Sequence, residues 1–318
     1  MKKNYSNIYS FNKKIIKKTV NFLKLSNLVG LPTETVYGLA GNAYSDKAVS
    51  KIFRLKKRPK SNPLIVHYSN LKMLKNDCHI NKLFIKLKNK FCPGPLTFIL
   101  KLKKESKISK FVTNGKKTLA VRFPSHRLTR KLLSSLDYPI AAPSANISTK
   151  ISPVSKEDVK EEFGKKIKFI LDGGRSRIGL ESTIINLIKK PQILRLGGIE
   201  IEKINKTLNS KLKFFNKKHK ISSPGQNKLH YSPGIPIKMN VKVPNRSEAF
   251  MLIKKRKRSD KNYFYLSKKK DLKEIAKNLY KTLRVIKRKK FKSIAVEKIP
   301  KRGLGLSIND RLNRASKK

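Results

Sequence analysis

Tryptophan is absent from the 318 residues, and cysteine is nearly so, with Cys78 and Cys92 alone. Neither stands in a metal-spaced motif. Although His79 adjoins Cys78, no histidine–carboxylate arrangement marks a thiol nucleophile, so zinc and thiol chemistry drop out. Carboxylates are also scarce, 19 Asp and Glu against 78 Lys and Arg, and none cluster in a way that would hold a metal unaided. No apolar run approaches the ~18 residues that cross a bilayer, so no membrane partner is expected. The N-terminus, Met1-Lys2-Lys3-Asn4-Tyr5, lacks the continuous apolar core of a secretion signal. Lysines there interrupt Ile15, Ile16, Val20, Leu23 and Leu25 at helical spacing, which reads as the first helix of a cytoplasmic protein. G-x-x-x-x-G-K-[ST], G-x-G-x-x-G and internal repeats are all missing, so a nucleotide, if one binds, is held without the common phosphate loops.

What is abundant is positive charge, a net +59. A nucleic-acid-binding face concentrates its charge and interleaves it with aromatics or arginines. Here lysine far outnumbers arginine and is spread from end to end, with isoleucine and asparagine also plentiful, as drift toward A/T-rich codons produces. Weak nonspecific attraction to nucleic acid and sensitivity to salt follow as by-products.

The chain is organised around Ile52–His67. Its start has the spacing of a helix end, and Pro59 stops the helix, which leaves Lys56, Lys57, Arg58 and Lys60 on one turn. After Pro63, Leu64-Ile65-Val66 reads as a buried strand with His67 at its C-terminal end, the place where open α/β sheets bind ligands. A cationic turn, the Asn62 amide and an imidazole on one rim suit a substrate with phosphates and a carboxylate. The plainer alternative is a solvated basic loop followed by a core histidine.

Further strands are expected at 27–31, 96–100, 118–124, 169–172, 182–187 and 193–196, with helices over 46–55 and within 69–90. Thr33, Thr35 and Tyr37 lie on a polar loop with room for a ligand. Arg122 ends a strand, as a surface charge or an anion clamp. Ser144 and Asn146 share a face if their segment stays extended, and Ser152 follows on a flexible loop. Arg195, inside an apolar strand, calls for an anionic partner, either a ligand phosphate or a carboxylate of the protein. Polar residues from Asn209 to Lys220 read as a linker, and Ser222–Gly234 as an ordered loop. A second αβ pattern then begins near Ile237, with a helix around 247–254, a strand at 263–266, a helix over 272–285, a strand at 293–296, and Arg302–Leu306 ahead of a terminal helix. The divisions are therefore 1–208, 209–236 and 237–318.

Pro-Thr-Glu-Thr-Val-Tyr-Gly-Leu at 32–39, Lys56-x-Arg58-Pro59, Asn62-Pro63-Leu64-Ile65-Val66-His67 and Pro93-Gly94-Pro95-Leu96-Thr97 occur in one series. Val121-Arg122, Ala142-Pro143-Ser144-Ala145-Asn146 and Glu181-Ser182-Thr183-Ile184 complete it. In order and spacing the series resembles the threonylcarbamoyl-AMP synthase family over nearly the whole length. Ser223-Pro224-Gly225 through His230-Tyr231-Ser232-Pro233, with Arg302-Gly303-Leu304-Gly305, resembles its long two-domain form. The chain departs from the family at Cys92, where tryptophan is common, and at Arg127, where proline is common. Both departures bear on packing rather than on ligand residues. The tail after Arg311 and Arg314 is short, which implies loose docking of the second domain.

The resemblance implies an α/β fold: a twisted mixed-sheet YrdC-like catalytic domain with a positive concave site, a lid loop, and a small Rossmann-like C-terminal domain. It implies formation of threonylcarbamoyl-AMP and pyrophosphate from L-threonine, bicarbonate or CO2, and ATP, for a group that other proteins transfer to tRNA beside the anticodon. Lys56, Arg58, Ser144 and Asn146 are its catalytic signature. Arg58, Asn62, Thr118, Ser144, Ser152, Arg195 and Tyr231 are its ATP residues, Tyr231 as part of the lid. Thr35, His67, Arg122, the Ala142 backbone and Ser182 are its L-threonine residues, and Mg2+ travels with ATP. A non-catalytic module for structured RNA is the alternative. The carbamoyltransferase of hydrogenase maturation is a third reading, but its acylphosphatase region and cysteine-paired zinc motifs are missing here.

Overall fold

A short strand comes first in the described chain, which comprises residues 7–214, 230–257 and 259–317 of a computed structural model. This strand, β1 (Ile8–Ser10), precedes the helix expected from the lysine-interrupted stretch, α1 (Lys13–Lys24). Three residues are too few for a period-two pattern, so the sequence did not reveal it. Residues 1–5 lie outside the described residues. Asn12 starts α1 by accepting the Ile15 amide (2.8 Å). Next come β2 (Val29–Leu31), β3 (Gly38–Asn42), α2 (Asp46–Lys56), β4 (Ile65–His67), α3 (Leu71–Asp77), α4 (Lys82–Phe91) and β5 (Leu96–Lys101). They are followed by α5 (Lys110–Thr113), β6 (Thr118–Arg122), α6 (Arg127–Ser134), β7 (Ile140–Ala141), α7 (Lys156–Phe163), β8 (Ile170–Asp172), β9 (Thr183–Asn186) and β10 (Gln192–Arg195). α8 (Ile201–Leu208) and β11 (Lys213–Phe214) complete a mixed sheet of eleven strands, in the order β1-β8-β2-β3-β7-β4-β6-β5-β9-β10-β11.

β11 pairs parallel with β10, and Leu212 is buried, so the start of the expected linker runs from the end of α8 into an edge strand at Lys213–Phe214. An edge strand with both residues exposed needs no apolar pattern, which is why its polarity misled. The remainder of the expected linker, and the lid loop as far as Leu229, fall outside the described residues.

The second sheet holds β12 (Ile237–Met239), β13 (Ala249–Leu252), β14 (Tyr263–Tyr265) and, after α9 (Leu272–Arg288), β15 (Ile294–Val296). It is all parallel, in the order β12-β15-β13-β14, and α10 (Leu304–Ala315) closes the chain. The helix expected over 247–254 is instead β13. Ala, Met and Leu favour helix one by one, but β13 lies between β14 and β15 with all four residues buried, and burial in a sheet overrides propensity. α10 starts at Leu304, inside the motif expected to precede it, because Gly303 supplies a φ of 50° at the N-cap.

Helices α2, α4, α7 and α8 cover one face of the large sheet. Ile52, Phe84, Val159 and Ile204 pack there with Val66, Phe98, Val121 and Ile185. The alternate residues Ile65, Ile99, Ala120, Ile184 and Leu194 form a small cluster of their own, as strand parity requires. Following that parity to one end of the strands leads to His67, Thr97, Arg122 and Ser182. Arg195 joins them through a register shift: Ile193 opposes Ile185, but Arg195 opposes Ile184, so a bulge turns it toward the open face.

The C-terminal unit is held firmly, contrary to the loose docking implied by its short tail. Arg311 reaches Glu181 (2.8 Å) and the Leu196 carbonyl (2.6 Å), Ser307 donates to the Gly197 carbonyl (2.9 Å), and Arg284 donates to the Ile151 carbonyl (2.8 Å).

Candidate active site

α2 stops where the sequence places its end. Lys57 takes a left-handed φ of 48°, and Pro59 follows. The four cations of that turn nevertheless separate. Lys57 and Lys60 are exposed, Arg58 is half-buried, and Lys56 is 1% exposed. A buried ammonium must find acceptors, and Lys56 donates to the carbonyls of Ser144 (2.5 Å) and Asn146. It therefore braces the 144–146 segment and does not line the cavity. Arg58 folds back on its own loop, donating to the Asn62 carbonyl (3.0 Å), Asn62 Oδ1 (2.6 Å) and the Pro63 carbonyl (2.9 Å). Burial, then the charge of Arg195, lowers its pKa to about 9. It stays protonated at neutral pH, and an anion between the two guanidiniums would relieve the repulsion.

Across the sheet end, Arg122 is in register with His67 on β4 and with Thr97 on β5. Thr97 Oγ1 lies 2.7 Å from Ser182 Oγ at the start of β9. Arg195 donates to the Ser182 carbonyl (2.9 and 3.1 Å) and hydroxyl (3.0 Å). Within the protein Arg195 is thus met by a carbonyl and a hydroxyl rather than by a paired carboxylate; burial lowers its pKa, and nearby Glu181 acts against that. Arg122 is not free to act as a clamp with its whole fork: Nη2 pairs with Glu34 (2.8 Å), which is 1% exposed, and Nε reaches the Gly94 carbonyl (3.4 Å). Among the described residues Nη1 makes no hydrogen bond, which leaves it for a ligand.

The loop between β2 and β3 contributes Thr33 and Thr35, 2.8 Å apart through their hydroxyls. Thr33 donates to the Val36 carbonyl (2.6 Å), so the shared proton comes from Thr35, whose lone pairs remain available to a cationic group. The Ala142 amide is spent on the Ile65 carbonyl (3.0 Å), so only its carbonyl is left for a ligand. Both ring nitrogens of His67 are buried and have no partner among the described residues. Burial, reinforced by Arg122, pushes its pKa well below the usual histidine range, so the ring is neutral and offers one donor and one acceptor.

His230 and Tyr231 also line the cavity. Tyr231 is 1% exposed, its hydroxyl has no partner among the described residues, and its ring stacks on Tyr280 at 5.8 Å. Burial pushes the His230 pKa down to about 3. The enclosed cavity has about 50 Å³ of free volume, room for a few waters and far below an ordinary ligand pocket.

Of the nominated residues, Thr35, Arg58, His67, Arg122, Ala142, Ser144, Ser182, Arg195 and Tyr231 line this cavity. Lys56, Asn62, Thr118, Asn146 and Ser152 do not. Thr118 begins β6, about 13 Å of strand away from Arg122. Asn146 leaves the extended path, its amide bonding to the Ser144 carbonyl (3.0 Å), and its side chain turns into its own loop, donating to the carbonyls of Ile147 (2.8 Å) and Lys150 (2.9 Å). Ser152 is fully buried rather than on a flexible loop, because its hydroxyl donates to Glu181 (2.6 Å). Glu34, Thr97, Glu181 and His230 were missed as site residues, and Thr33 was placed on the ligand loop without a role. Their signal was present: each lies within a quoted motif, beside a nominated residue or on the same strand.

Glu181 accepts from Ser152, Tyr280 and Arg311. Burial alone would raise its pKa, but Arg311 above all, then Arg195, bring it from 4.5 down to about 2. Its contribution, on the order of 3 kcal/mol, is complete above the unfolded value and is lost as pH falls through the folded one. Glu181→Gln is therefore expected to flatten that part of an acid-unfolding curve followed by circular dichroism between roughly pH 6 and 2. A curve superimposable on the wild type would refute this.

A mixed α/β sheet whose end gathers three arginines, a neutral imidazole and several hydroxyls, with a second parallel sheet docked beside it, defines a two-part enzyme that positions anionic substrates. Comparison with known proteins gives the family. Residues 21–197 match the family model described as "Telomere recombination", and residues 199–317 match "Threonylcarbamoyl-AMP synthase, C-terminal domain". The threonylcarbamoyl-AMP synthase of Pyrococcus abyssi is 38% identical over 95% of this chain and 94% of its own, and that of Bacillus subtilis is 34% identical over 96% and 94%. The crystal structure of P. abyssi Sua5 complexed with L-threonine superposes with a TM-score of 0.88 at 35% identity, covering 98% of this chain and 96% of the other. The chain belongs to the threonylcarbamoyl-AMP synthase family, nucleotidyl transferases of tRNA modification.

Proposed function

We propose that this chain joins L-threonine, bicarbonate or CO2, and ATP into threonylcarbamoyl-AMP. The observation that carries the reading is the convergence, on one cavity, of Arg58 and Arg195 with the row His67, Arg122, Thr97 and Ser182. The threonine nitrogen takes up CO2 and loses a proton to become a carbamate. A carbamate oxygen attacks the α-phosphorus, the bond to the bridging oxygen breaks, and pyrophosphate leaves. No protein nucleophile is required; the protein's task is positioning and charge neutralisation.

The threonine carboxylate would meet Arg122 Nη1, and its amine the Thr35 oxygen and the Ala142 carbonyl, with His67 and Ser182 completing the seat. Arg58, Arg195, Ser144 and Tyr231 would hold the nucleotide. Asn62 acts through Arg58, Lys56 through the Ser144 carbonyl, and Ser152 through Glu181. A separate groove of about 1040 Å³ between α2 and α5, bordered by Lys57, Lys60 and Phe111, shares Arg58 with this cavity. His230 and Tyr231 must withdraw for entry and return to keep water from the carbamate.

Mg2+ would come with the ATP phosphates. The two carboxylates at the site are spent on Arg122 and Arg311, and among the described residues no group of three or more His, Cys, Asp or Glu could hold a metal ion. The three arginines support a positive concavity, and four parallel strands with α9 and α10 support a Rossmann-like second domain. We keep the division into catalytic, lid and C-terminal parts, with the first extended to Phe214. A mixed anhydride as product calls for a cytoplasmic acceptor protein that delivers the group to tRNA. Among the described residues no helix is long and apolar enough to cross a membrane.

Pyrophosphate release from ATP is expected to require both L-threonine and bicarbonate. Release independent of threonine would refute the synthase reading, and no release at all would favour the RNA-binding module.

A further inference from the structure

Arg311 belongs to the C-terminal helix α10, yet its guanidinium ends inside the catalytic unit. It is 1% exposed, and donates through Nε to Glu181 (2.8 Å), through Nη2 to the Leu196 carbonyl (2.6 Å) and through Nη1 to Asp310 (2.7 Å). Its Cζ lies 4.9 Å from the centre of the Tyr231 ring, which also stacks on Tyr280 of α9 with an interplanar angle of 22°. Tyr280 in turn donates to the same Glu181 (3.0 Å).

Two parts of the site depend on these contacts. The first is Tyr231, whose ring contacts a guanidinium and a ring, both from the C-terminal unit, and whose hydroxyl makes no hydrogen bond among the described residues. The second is the backbone under Ser182. The segment Leu196–Gly197 runs so close to it that a Cβ on Gly197 would stand 2.3 Å from the Ser182 carbonyl carbon. That segment is held from α10 by Arg311 and by Ser307. Ser182 is what Arg195 grips.

We infer that Arg311 is a positioning residue for the nucleotide: it sets Tyr231 and, through Leu196 and Glu181, the Ser182–Arg195 pair, so the C-terminal unit is a working part of the active site. This rests on the assignment of Tyr231 and Arg195 to ATP made above. A planar fork that contacts a carboxylate, a carbonyl and a ring face at once cannot be reproduced by lysine, which offers a point charge.

The test is calorimetric titration of the full chain with ATP and, separately, with L-threonine, comparing Arg311→Met, Arg311→Lys and Arg284→Met. Arg284 also bridges the two units, through the Ile151 carbonyl and the carboxylates of Asp158 and Glu162, but does not touch Tyr231. Arg311→Met is expected to weaken ATP binding by about tenfold or more, and Arg311→Lys by several-fold. L-threonine affinity should fall less than ATP affinity, since of its residues only Ser182 is set through Arg311, whereas Thr35, His67, Arg122 and Ala142 hang on other strands. Arg284→Met should leave ATP affinity within about twofold. Wild-type ATP affinity in both Arg311 variants overturns the inference, as does an Arg284→Met variant that matches Arg311→Met. Should Arg311→Met fail to fold with Glu181 left unpaired, the lysine variant decides. Absence of threonine-dependent pyrophosphate release in the wild type would remove the functional reading, whereas the ATP titration still judges the role of Arg311.

Discussion

Arg58→Ala is expected to lower threonine-dependent pyrophosphate release about 100-fold or more, equivalent to roughly 3 kcal/mol of transition-state stabilisation. Charge builds on the α-phosphoryl oxygens and the departing pyrophosphate, and Arg58 is the cation that borders both the closed cavity and the large groove beside it. Its orientation is fixed by three acceptors within the next five residues, Asn62 twice and Pro63 once. Lysine at this position keeps a charge but loses that fork, so Arg58→Lys should recover little. Asn62 is buried, so the acceptors that Arg58 releases lose a partner and some fall in melting temperature is expected as well; circular dichroism at the assay temperature checks that the fold persists. Turnover within about threefold of wild type in the alanine variant would end the assignment.

Glu34→Ala should show its largest effect on stability, a loss of roughly 3–5 kcal/mol, because it strands a buried guanidinium. Glu34 and Arg122 are 1% and 4% exposed, and the Glu34 carboxylate is the anion that Arg122 meets in the protein. Glu34→Gln retains an acceptor at the same distance and should cost less. Affinity for L-threonine should fall in both variants, since Nη1 of Arg122 is aimed only while Nη2 is tied down. Guanidinium unfolding at neutral pH measures the first effect and calorimetry with L-threonine the second. A Glu34→Ala protein within about 1 kcal/mol of wild type would mean that Arg122 finds another partner, and that the pair does not hold the site.

The two predictions draw on different kinds of information. Arg58 was legible as a chain-local feature: a helix end, a proline stop and a buried strand place a cation beside His67, and α2 and β4 form where their patterns said. The strands that carry Arg122, Ser182 and Arg195 were legible too, as apolar runs bounded by glycine and proline. Glu34 was legible as a position within the 32–39 motif but its role was not, because that comes from a partner 88 residues away.

From residue order alone came the material of the site: which side chains stand at strand ends, how few acids there are to neutralise them, and a motif series that names the family. Folding decided where those side chains go. It divided a run of cations between a loop brace and the cavity rim, turned Asn146 into its own loop, and made a central strand of 249–252 where propensity favoured helix. It also rotated Arg195 to the open face by one bulge and brought Arg311 across from the last helix. Periodicity and capping act over a few residues and can be read along the chain. Sheet register, bulges and the pairing of buried charges depend on which distant strands and helices become neighbours, and only the packed structure fixes that.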